Sequence, residues 1–136
     1  MTDKTNIRGL IRKALEMREF SYVPYSGFAV GAALLAKNGT VYTGCNIENA
    51  AYGATICAER TAIFKAVSEG VKEFDAIVVV GAPKGEVPRE ECPPCGTCRQ
   101  VMSEFADKDF SVILAVDEDH YHIYSMEEML PHSFDL

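Results

Sequence analysis

The sequence predicts an α/β protein, a three-layer α/β/α sandwich around a five-stranded mixed sheet. Five short apolar segments have the length and composition of strands, and segments with an apolar period of 3.6 residues separate several of them. The order of the elements, αββαβαββα, predicts a central sheet with helices on both faces. At 136 residues the chain has the length of one domain, so we expect residues 1–136 to form a single unit.

The chain opens with a predicted helix and a hairpin. An apolar stripe at helical spacing predicts the helix over 5–19. Apolar strands are predicted over 28–36 and 41–45. Between them lies Asn38-Gly39, a dipeptide typical of the tight turn in a two-stranded hairpin.

A second helix and a buried strand occupy the middle of the chain. Apolar residues at helical spacing predict the helix over 57–68, and Gly70 is its expected C-cap. The continuous apolar run over 76–80 is typical of a strand that is covered on both faces. A polar loop with three prolines follows.

The last third of the chain completes the order of elements. A helix is predicted over 95–105, and strands are predicted over 111–116 and 121–124. Ser125 and Glu128 have the spacing of a capping box, which predicts a short final helix.

Composition excludes several classes of function. A net charge of −7 argues against binding long nucleic acid or an anionic membrane through bulk charge. No apolar run approaches the ~18 residues of a membrane span, and the charged N-terminal segment does not resemble a secretion signal. We therefore expect a cytoplasmic location, no nucleic-acid or membrane partner, and cysteines that stay reduced.

The cysteine spacing predicts a zinc site. Cys95 and Cys98 lie three residues apart at the start of a predicted helix, where two thiolates share one face and can bind one metal ion. The same spacing occurs in thioredoxin-like redox sites. Cys57 also opens a predicted helix and is a candidate third ligand, which would leave a fourth zinc position open for catalysis. Arg60 is a candidate hydrogen-bond donor to a thiolate sulfur.

Glu59 is the candidate proton carrier of such a site. Residues two apart do not normally share a helix face, which argues against a meeting of Cys57 and Glu59. The first turn of a helix is open, however, and a glutamate there can turn towards a metal ion. The alternative is a carboxylate that only stabilises the helix dipole, by ~0.3–1 kcal/mol.

The remaining cysteines and the histidines leave one alternative open. Cys92 makes a second CxxC spacing with Cys95, so four cysteines could close a structural zinc site, although Pro93 and Pro94 hold this segment extended. Cys45 lies in a predicted strand and is expected to be a core residue. Three histidines lack ligand spacing to the cysteines and are expected to be surface or packing residues: His120, His122 and His132.

Five motifs in order resemble one enzyme group. Cys57-Ala-Glu59 followed by Pro94-Cys95-Gly-Thr-Cys98-Arg-Gln100 resembles the zinc-dependent nucleoside and nucleobase deaminase superfamily. Pro24-Tyr25-Ser26, Phe28-Ala-Val-Gly-Ala-Ala33 and Gly44-Cys-Asn-Ile-Glu-Asn-Ala50 are similar to the cytidine deaminase family in particular. The resemblance implies a cytidine deaminase-like fold and one Zn²⁺ per chain, with Cys57, Cys95 and Cys98 as ligands.

The resemblance also implies the remaining site residues. Glu59 matches the family's proton-shuttling glutamate, Asn46 and Glu48 match the pair that holds the ribose hydroxyls, and Phe28 matches an aromatic that packs on the pyrimidine. Two residues that leave a strand at alternate positions point the same way, so the bottom-up pattern agrees for the pair. The short, three-cysteine form resembles the homotetrameric branch, in which a C-terminal phenylalanine of a neighbouring subunit completes the pocket. Phe134 is the candidate, and a frayed terminus is the competing interpretation.

The implied reaction is hydrolytic deamination of cytidine and deoxycytidine to uridine and deoxyuridine plus ammonia, a step of pyrimidine salvage. The resemblance implies attack of zinc-bound hydroxide at C4, with a glutamate as proton shuttle. Three alternatives stay open at this point. They are a deaminase of another aminated substrate (a nucleoside antibiotic, a free base or a base in RNA), a four-cysteine zinc interaction module, and a redox CxxC protein.

Overall fold

The order of helices and strands matches the predicted one. The computed structural model describes residues 4–136, with side chains from residue 6 onward. Its helices are α1 (Lys4–Met17), α2 (Ala58–Ser68), α3 (Gly96–Phe105) and α4 (Met126–Met129). Its strands are β1 (Phe28–Ala36), β2 (Val41–Cys45), β3 (Phe74–Pro83), β4 (Ser111–Asp117) and β5 (His120–Ser125).

The strands form one mixed sheet in the order β2-β1-β3-β4-β5. β3 and β4 are parallel, and the other neighbouring pairs are antiparallel. The central position of β3 explains its unbroken apolar run, because residues from Ala76 to Val80 are buried from both faces. The predicted mixed sheet of five strands is confirmed.

Helices cover both faces, which confirms the three-layer architecture. On one face, α1 packs its apolar stripe against small and branched side chains of the sheet, including Ala33, Val78 and Ile113. On the other face, α2, α3 and α4 pack on a second cluster that includes Ala62, Met102 and Met129. Cys98 belongs to this second cluster, so the candidate metal ligands lie on the α2/α3 side of the sheet.

Several predicted boundaries differ by a few residues. The first helix ends at Met17, and a 3-10 turn, Arg18–Phe20, continues it. The Arg18 guanidinium donates to the carbonyl oxygens of Ala29, Ala82 and Pro83, which ties this turn to the ends of β1 and β3. β3 is longer than its apolar run because its last residues pair with β1, where Pro83 lies opposite Phe28.

Glycines allow two helices to approach the sheet closely. A Cβ atom on Gly44 of β2 would lie 2.3 Å from the carbonyl oxygen of Ala58, and one on Gly31 of β1 would lie 1.9 Å from that of Ala14. Each helix is therefore in backbone contact with a strand. No helix in the described part of the chain has the length and apolar composition that a membrane span requires.

Candidate metal centre and active site

Two helix starts bring the three candidate ligands together. Cys57 is the N-cap of α2, and Cys95 is the N-cap of α3. The Sγ atoms of Cys57 and Cys95 are 3.8 Å apart, and those of Cys95 and Cys98 are 3.4 Å apart. All three sulfurs lie within 4.8 Å of one another. The positive ends of both helix dipoles thus point at one cluster of sulfurs, which favours their negative charge.

The sulfur geometry fits a zinc ion. Four-coordinate tetrahedral zinc with Zn–S bonds of ~2.3 Å separates its sulfur ligands by about 3.8 Å, close to the distances between these thiols. Among the side chains of residues 6–136, these cysteines are the one group of three His, Cys, Asp or Glu residues clustered closely enough to hold a metal ion. The cluster therefore fits one zinc per chain, with a fourth position left to a non-protein ligand.

The environment of the sulfurs promotes thiolate formation at Cys57 and opposes it at Cys98. Hydrogen bonds from Cys98, Arg60 and Cys95 lower the pKa of Cys57 to about 5, against the opposing effect of its burial. The pKa of Cys98 is raised, first by its hydrogen bond with Cys57 and then by burial. The backbone N–H of Cys98 also donates to the Cys95 sulfur, at 3.4 Å.

Arg60 supplies positive charge beside the sulfurs. Its Nη2 donates to the Cys57 sulfur at 3.3 Å. Burial acts against the guanidinium charge, but the hydrogen bonds to Cys57 and Cys98 outweigh it and raise the pKa of Arg60. Its Nε is buried without a hydrogen-bond partner. A guanidinium here offsets part of the −1 net charge that three thiolates and one Zn²⁺ would carry.

Glu59 is buried beside the sulfur cluster and does not face solvent. It is 3% exposed and is the one buried charged residue among residues 6–136. Burial raises the pKa of its carboxyl to about 7, and it is hydrogen-bonded to Cys98. An exposed carboxylate that only stabilises a helix dipole would not be buried in this way, so the structure argues against the alternative interpretation of Glu59.

Cys92 lies near this group but outside it. The Cys92 sulfur does not belong to the cluster formed by the sulfurs of Cys57, Cys95 and Cys98. Burial raises its pKa to about 11, and the charges of Glu59 and Cys57 act in the same direction. Cys45 is buried in the core, as expected. The four-cysteine alternative is therefore not the arrangement of this structure.

The segment after β2 runs beside the cluster. Ile47 exchanges two backbone hydrogen bonds with Ile56, the residue before Cys57, each 2.9 Å long. On its other side, Asn46 and Glu48 bond the backbone of Tyr22, at 3.0 and 2.8 Å. The two polar residues are thereby held next to the start of α2.

The side chain of Asn46 binds the backbone of β1. Its Oδ1 accepts from the N–H of Val30 at 3.0 Å, and its Nδ2 donates to the carbonyl of Phe28 at 2.9 Å. One lone pair on Oδ1 and one hydrogen on Nδ2 remain for another partner. The sequence pattern does not indicate this structural role.

The side chain of Glu48 binds the segment that precedes β1. Its carboxylate accepts from the backbone N–H groups of Tyr25 and Ser26, at 3.0 and 3.1 Å, and from the Ser26 hydroxyl. The Ser26 hydrogen bond is the main cause that lowers the pKa of Glu48. Glu48 thus contacts the residues just before β1, whereas Asn46 contacts β1 itself.

Phe28 borders an open cavity of about 340 Å³ whose lining includes Gly81, Pro83, Val87 and Glu91. Phe28 is 38% exposed and does not belong to the core. A Cβ atom on Gly81 would lie 2.9 Å from the Phe28 ring and 2.8 Å from the Cys92 sulfur. The absence of a side chain at Gly81 thus makes room for both groups.

The predicted peripheral residues lie at the surface. Phe134 is 68% exposed. His122 and Tyr124 both contact the carboxylate of Glu91, and the hydroxyl of Tyr124 donates at 2.9 Å. The side chains of His122 and His120 are 73% and 76% exposed, so the expectation that they are surface residues is confirmed.

Sequence reasoning missed three residues that shape the site: Gly81, Ser26 and Arg99. Gly81 lies at the end of β3 beyond the apolar run, where a glycine in a strand is a signal of close approach. Ser26 and Arg99 lie inside quoted motifs, but only the fold shows which atoms they contact.

Comparisons with known proteins agree with this geometry. The model of a family described as the cytidine and deoxycytidylate deaminase zinc-binding region matches residues 4–114. The chain is 51% identical over 125 residues to a cytidine deaminase of Halalkalibacterium halodurans, covering 92% of this chain and 91% of the relative. It is 48% identical over 129 residues to a cytidine deaminase of Sporosarcina psychrophila, covering 95% and 91%.

A solved structure shows the same fold. The crystal structure of a cytidine deaminase from Burkholderia pseudomallei superposes with a TM-score of 0.81 at 45% identity, and the match covers 93% of this chain and 97% of that one.

Proposed function

The chain belongs to the cytidine and deoxycytidylate deaminase family, and on that premise we propose that it hydrolyses cytidine and deoxycytidine to uridine and deoxyuridine plus ammonia. The observation that carries the proposal is the position of one buried carboxylate, Glu59, beside a zinc-compatible cluster of three sulfurs. Such a site combines a metal-binding site that has an open coordination position with an acid–base group beside it. The enzyme is therefore a zinc-dependent hydrolase of pyrimidine salvage.

In this proposal Cys57, Cys95 and Cys98 hold the zinc ion. When bound, zinc supplies a Lewis acid that lowers the pKa of a coordinated water. The Glu59 carboxylate accepts the proton released there and delivers it to ring N3, which makes C4 electrophilic. As the water oxygen bonds to C4, Glu59 takes the second proton of that water and carries it to the amino group, and the C4–N bond breaks to release ammonia. Arg60 keeps Cys57 ionised throughout.

We assign substrate binding to the groups around β1. Phe28 is 38% exposed at the start of β1, and the pyrimidine packs on its ring. The free lone pair and amide hydrogen of Asn46 and the carboxylate of Glu48 bind the ribose hydroxyls. Because Glu48 already accepts hydrogen bonds from Tyr25 and Ser26, its orientation is fixed before the substrate arrives, which reduces the entropy lost on binding.

The role of Glu59 is tested by Glu59→Gln. We expect this variant to keep about one zinc per chain and to lose ~10²–10⁴-fold in turnover, because the amide cannot carry protons. The matched control is Glu127→Gln, which changes an exposed carboxylate in the first turn of α4 and should leave turnover unchanged. Zinc is quantified by atomic absorption, and conversion of cytidine is followed by ultraviolet absorbance. Retention of more than about a tenth of the wild-type rate would refute the assignment.

The ligand set is tested with two cysteine variants. Cys98→Ala should lose zinc, whereas Cys92→Ala should keep it, because the Cys92 sulfur lies outside the cluster. Zinc loss from Cys92→Ala would support the closed, four-cysteine site. The redox alternative is tested by titrating the thiols with and without a chelator. If three thiols become reactive together when the chelator is added, the redox alternative is excluded.

The substrate class is tested by comparing cytidine, deoxycytidine, cytosine and a cytosine-containing oligonucleotide. The contacts available at Asn46 and Glu48 favour a nucleoside over the free base. The net charge of −7 disfavours RNA. Faster turnover of cytosine or of the oligonucleotide than of cytidine would contradict the proposal.

We also propose a homotetramer in which Phe134 of one subunit completes the pocket of a neighbour, in a cytoplasmic setting that keeps the thiols reduced. Support comes from Phe134 itself, which is 68% exposed in the single chain and is therefore available to a neighbouring subunit. Mass by light scattering gives the subunit number. Mixing inactive Glu59→Gln with Phe134→Ala subunits should restore activity to part of the sites, and no restoration would argue against sharing of sites.

A further inference from the structure

The side chain of Arg99 joins two distant segments of the chain. Its Nε donates to the carbonyl oxygen of Pro94 at 2.8 Å, and its Nη1 donates to that of Met129 at 3.0 Å. Pro94 directly precedes Cys95, and Met129 is the last residue of α4. One guanidinium thus links the start of the ligand helix α3 to the end of the C-terminal helix.

Both carbonyl groups need a donor that the backbone does not supply at these positions. Pro94 is buried in a segment that lies outside the sheet, so no neighbouring strand supplies a donor to its carbonyl. Met129 is buried, and its carbonyl lies at a helix C-terminus, where the last carbonyls lack partners within the helix. The planar fork of an arginine can satisfy two such acceptors at once, which a lysine cannot do with the same geometry.

The helix that carries one of these carbonyls is itself anchored. Ser125 and Glu128 form a reciprocal capping box at the start of α4, with bonds of 2.8 and 3.1 Å. Met129 packs in the same core cluster as Cys98 and Met102 of α3. The link from α4 through Arg99 to Pro94 therefore rests on a fixed support.

We propose that Arg99 is a positioning residue that, together with α4, holds Cys95 in place for zinc, so that the C-terminal helix controls how firmly the metal is retained. This inference rests on the proposed role of Cys95 as a ligand. It does not depend on which substrate is deaminated, and its readout is metal release instead of turnover.

The test measures the rate of zinc transfer from the loaded protein to a chromogenic chelator. We expect Arg99→Met to release zinc ~10–100-fold faster than the wild type, as is typical when a support of a ligand is removed. Arg99→Lys should fall between the two, because one of the hydrogen bonds can be kept. The control Arg12→Met removes an exposed arginine that pairs with Glu118 on the surface and should release zinc at the wild-type rate.

Two further measurements separate positioning from stability. With Co²⁺ in place of zinc, the thiolate charge-transfer and d–d bands of Arg99→Met should shift, whereas those of Arg12→Met should not. Glu128→Ala breaks the capping box and should also speed zinc release, whereas the neighbouring Glu127→Ala should not. The proposal places Glu128 and Arg99 in one chain of contacts that ends at Cys95. The double variant should therefore speed zinc release by less than the product of the two single effects.

Unchanged zinc release and an unchanged cobalt spectrum in Arg99→Met would overturn the inference, even if the melting temperature of the metal-free protein falls. Unchanged release in Glu128→Ala would overturn the part assigned to α4. Absence of cytidine turnover in the zinc-loaded wild type, with faster zinc release in Arg99→Met, would instead count against the proposed function and leave the role of Arg99 standing.

Discussion

Replacing Gly44 with alanine tests whether the close contact between β2 and α2 sets the position of the metal site. The new Cβ atom would lie 2.3 Å from the carbonyl oxygen of Ala58 and 2.7 Å from the N atom of Ala62, whereas ordinary contacts begin at 3.4 Å. Both atoms are backbone, so no side-chain rotation relieves the clash. The helix must move away from the strand by about 1 Å, because packed interiors hold no spare volume.

This displacement falls on the end of α2 that carries the chemistry. Ala58 lies between Cys57, a candidate ligand, and Glu59, the candidate proton carrier. A misplacement of ~1 Å at reacting groups costs on the order of 10²-fold in rate. Overpacking itself costs ~1–3 kcal/mol of stability. We therefore expect a folded protein with weakened zinc binding and turnover lowered about 100-fold.

Two other glycines provide controls. Gly31→Ala creates a similar clash with α1 on the opposite face, at 1.9 Å from the Ala14 carbonyl oxygen. It should lower the melting temperature while zinc affinity stays near that of the wild type. Gly9→Ala meets no atom within 4 Å and lies within α1, so it should stabilise the protein by up to ~1 kcal/mol.

The assay combines calorimetric melting, zinc affinity by chelator competition and cytidine turnover on all three variants. If Gly44→Ala binds zinc and turns over cytidine like the wild type, the close contact does not set the site. If Gly31→Ala loses as much zinc affinity as Gly44→Ala, the effect is a general loss of packing and the reasoning fails.

Two further predictions concern the residues proposed to bind the substrate. Gly81→Ala should raise KM for cytidine about tenfold, the effect of a small loss of shape fit in a pocket, because the new Cβ displaces the Phe28 ring. The zinc content should change little. Adding Cys92→Ala should recover part of the loss in KM, and no recovery would contradict the shared packing of Phe28 and Cys92 around Gly81. Ser26→Ala removes the main hydrogen bond that lowers the pKa of Glu48. A lowered pKa keeps the carboxylate ionised as pH falls, so in this variant KM should begin to rise at a higher pH on the acid side, and coincident pH profiles of the two proteins would refute this.

The sequence predicts the elements well where a local pattern determines them. β1 and β2 begin and end at the predicted residues because Asn38-Gly39 fixes the turn between two apolar runs. The C-cap of α2 is Glu69 and not the predicted Gly70, which follows it with a φ of +87°, the left-handed conformation that commonly ends a helix. The end of β3 was missed because its last residues are held by pairing with Phe28, more than fifty positions earlier in the chain.

The same holds for the candidate site, where local patterns predict some features and the fold determines the others. Cys57, Cys95 and Cys98 meet as their spacing and helix starts indicate. The burial of Glu59 contradicts the simple rule of helix faces, because the first turn of α2 is open towards the sulfurs. The hydrogen bonds from Asn46 to the backbone of β1, in contrast, depend on the register of the two strands. β2 ends before it reaches the first residues of β1, and no pattern within either segment shows this offset.

That offset also affects how copies of the protein can associate. The start of β1 extends beyond its last paired residue on β2, and such an overhang normally presents free N–H and C=O groups to which another strand can add. Here the N–H of Phe28 donates to the Ser26 hydroxyl, and the side chain of Asn46 takes up the carbonyl of Phe28 and the N–H of Val30. The Val30 carbonyl accepts from the Ser21 hydroxyl. The overhang of β1 is thus protected against strand addition, so that a neighbouring molecule meets this stretch through side chains.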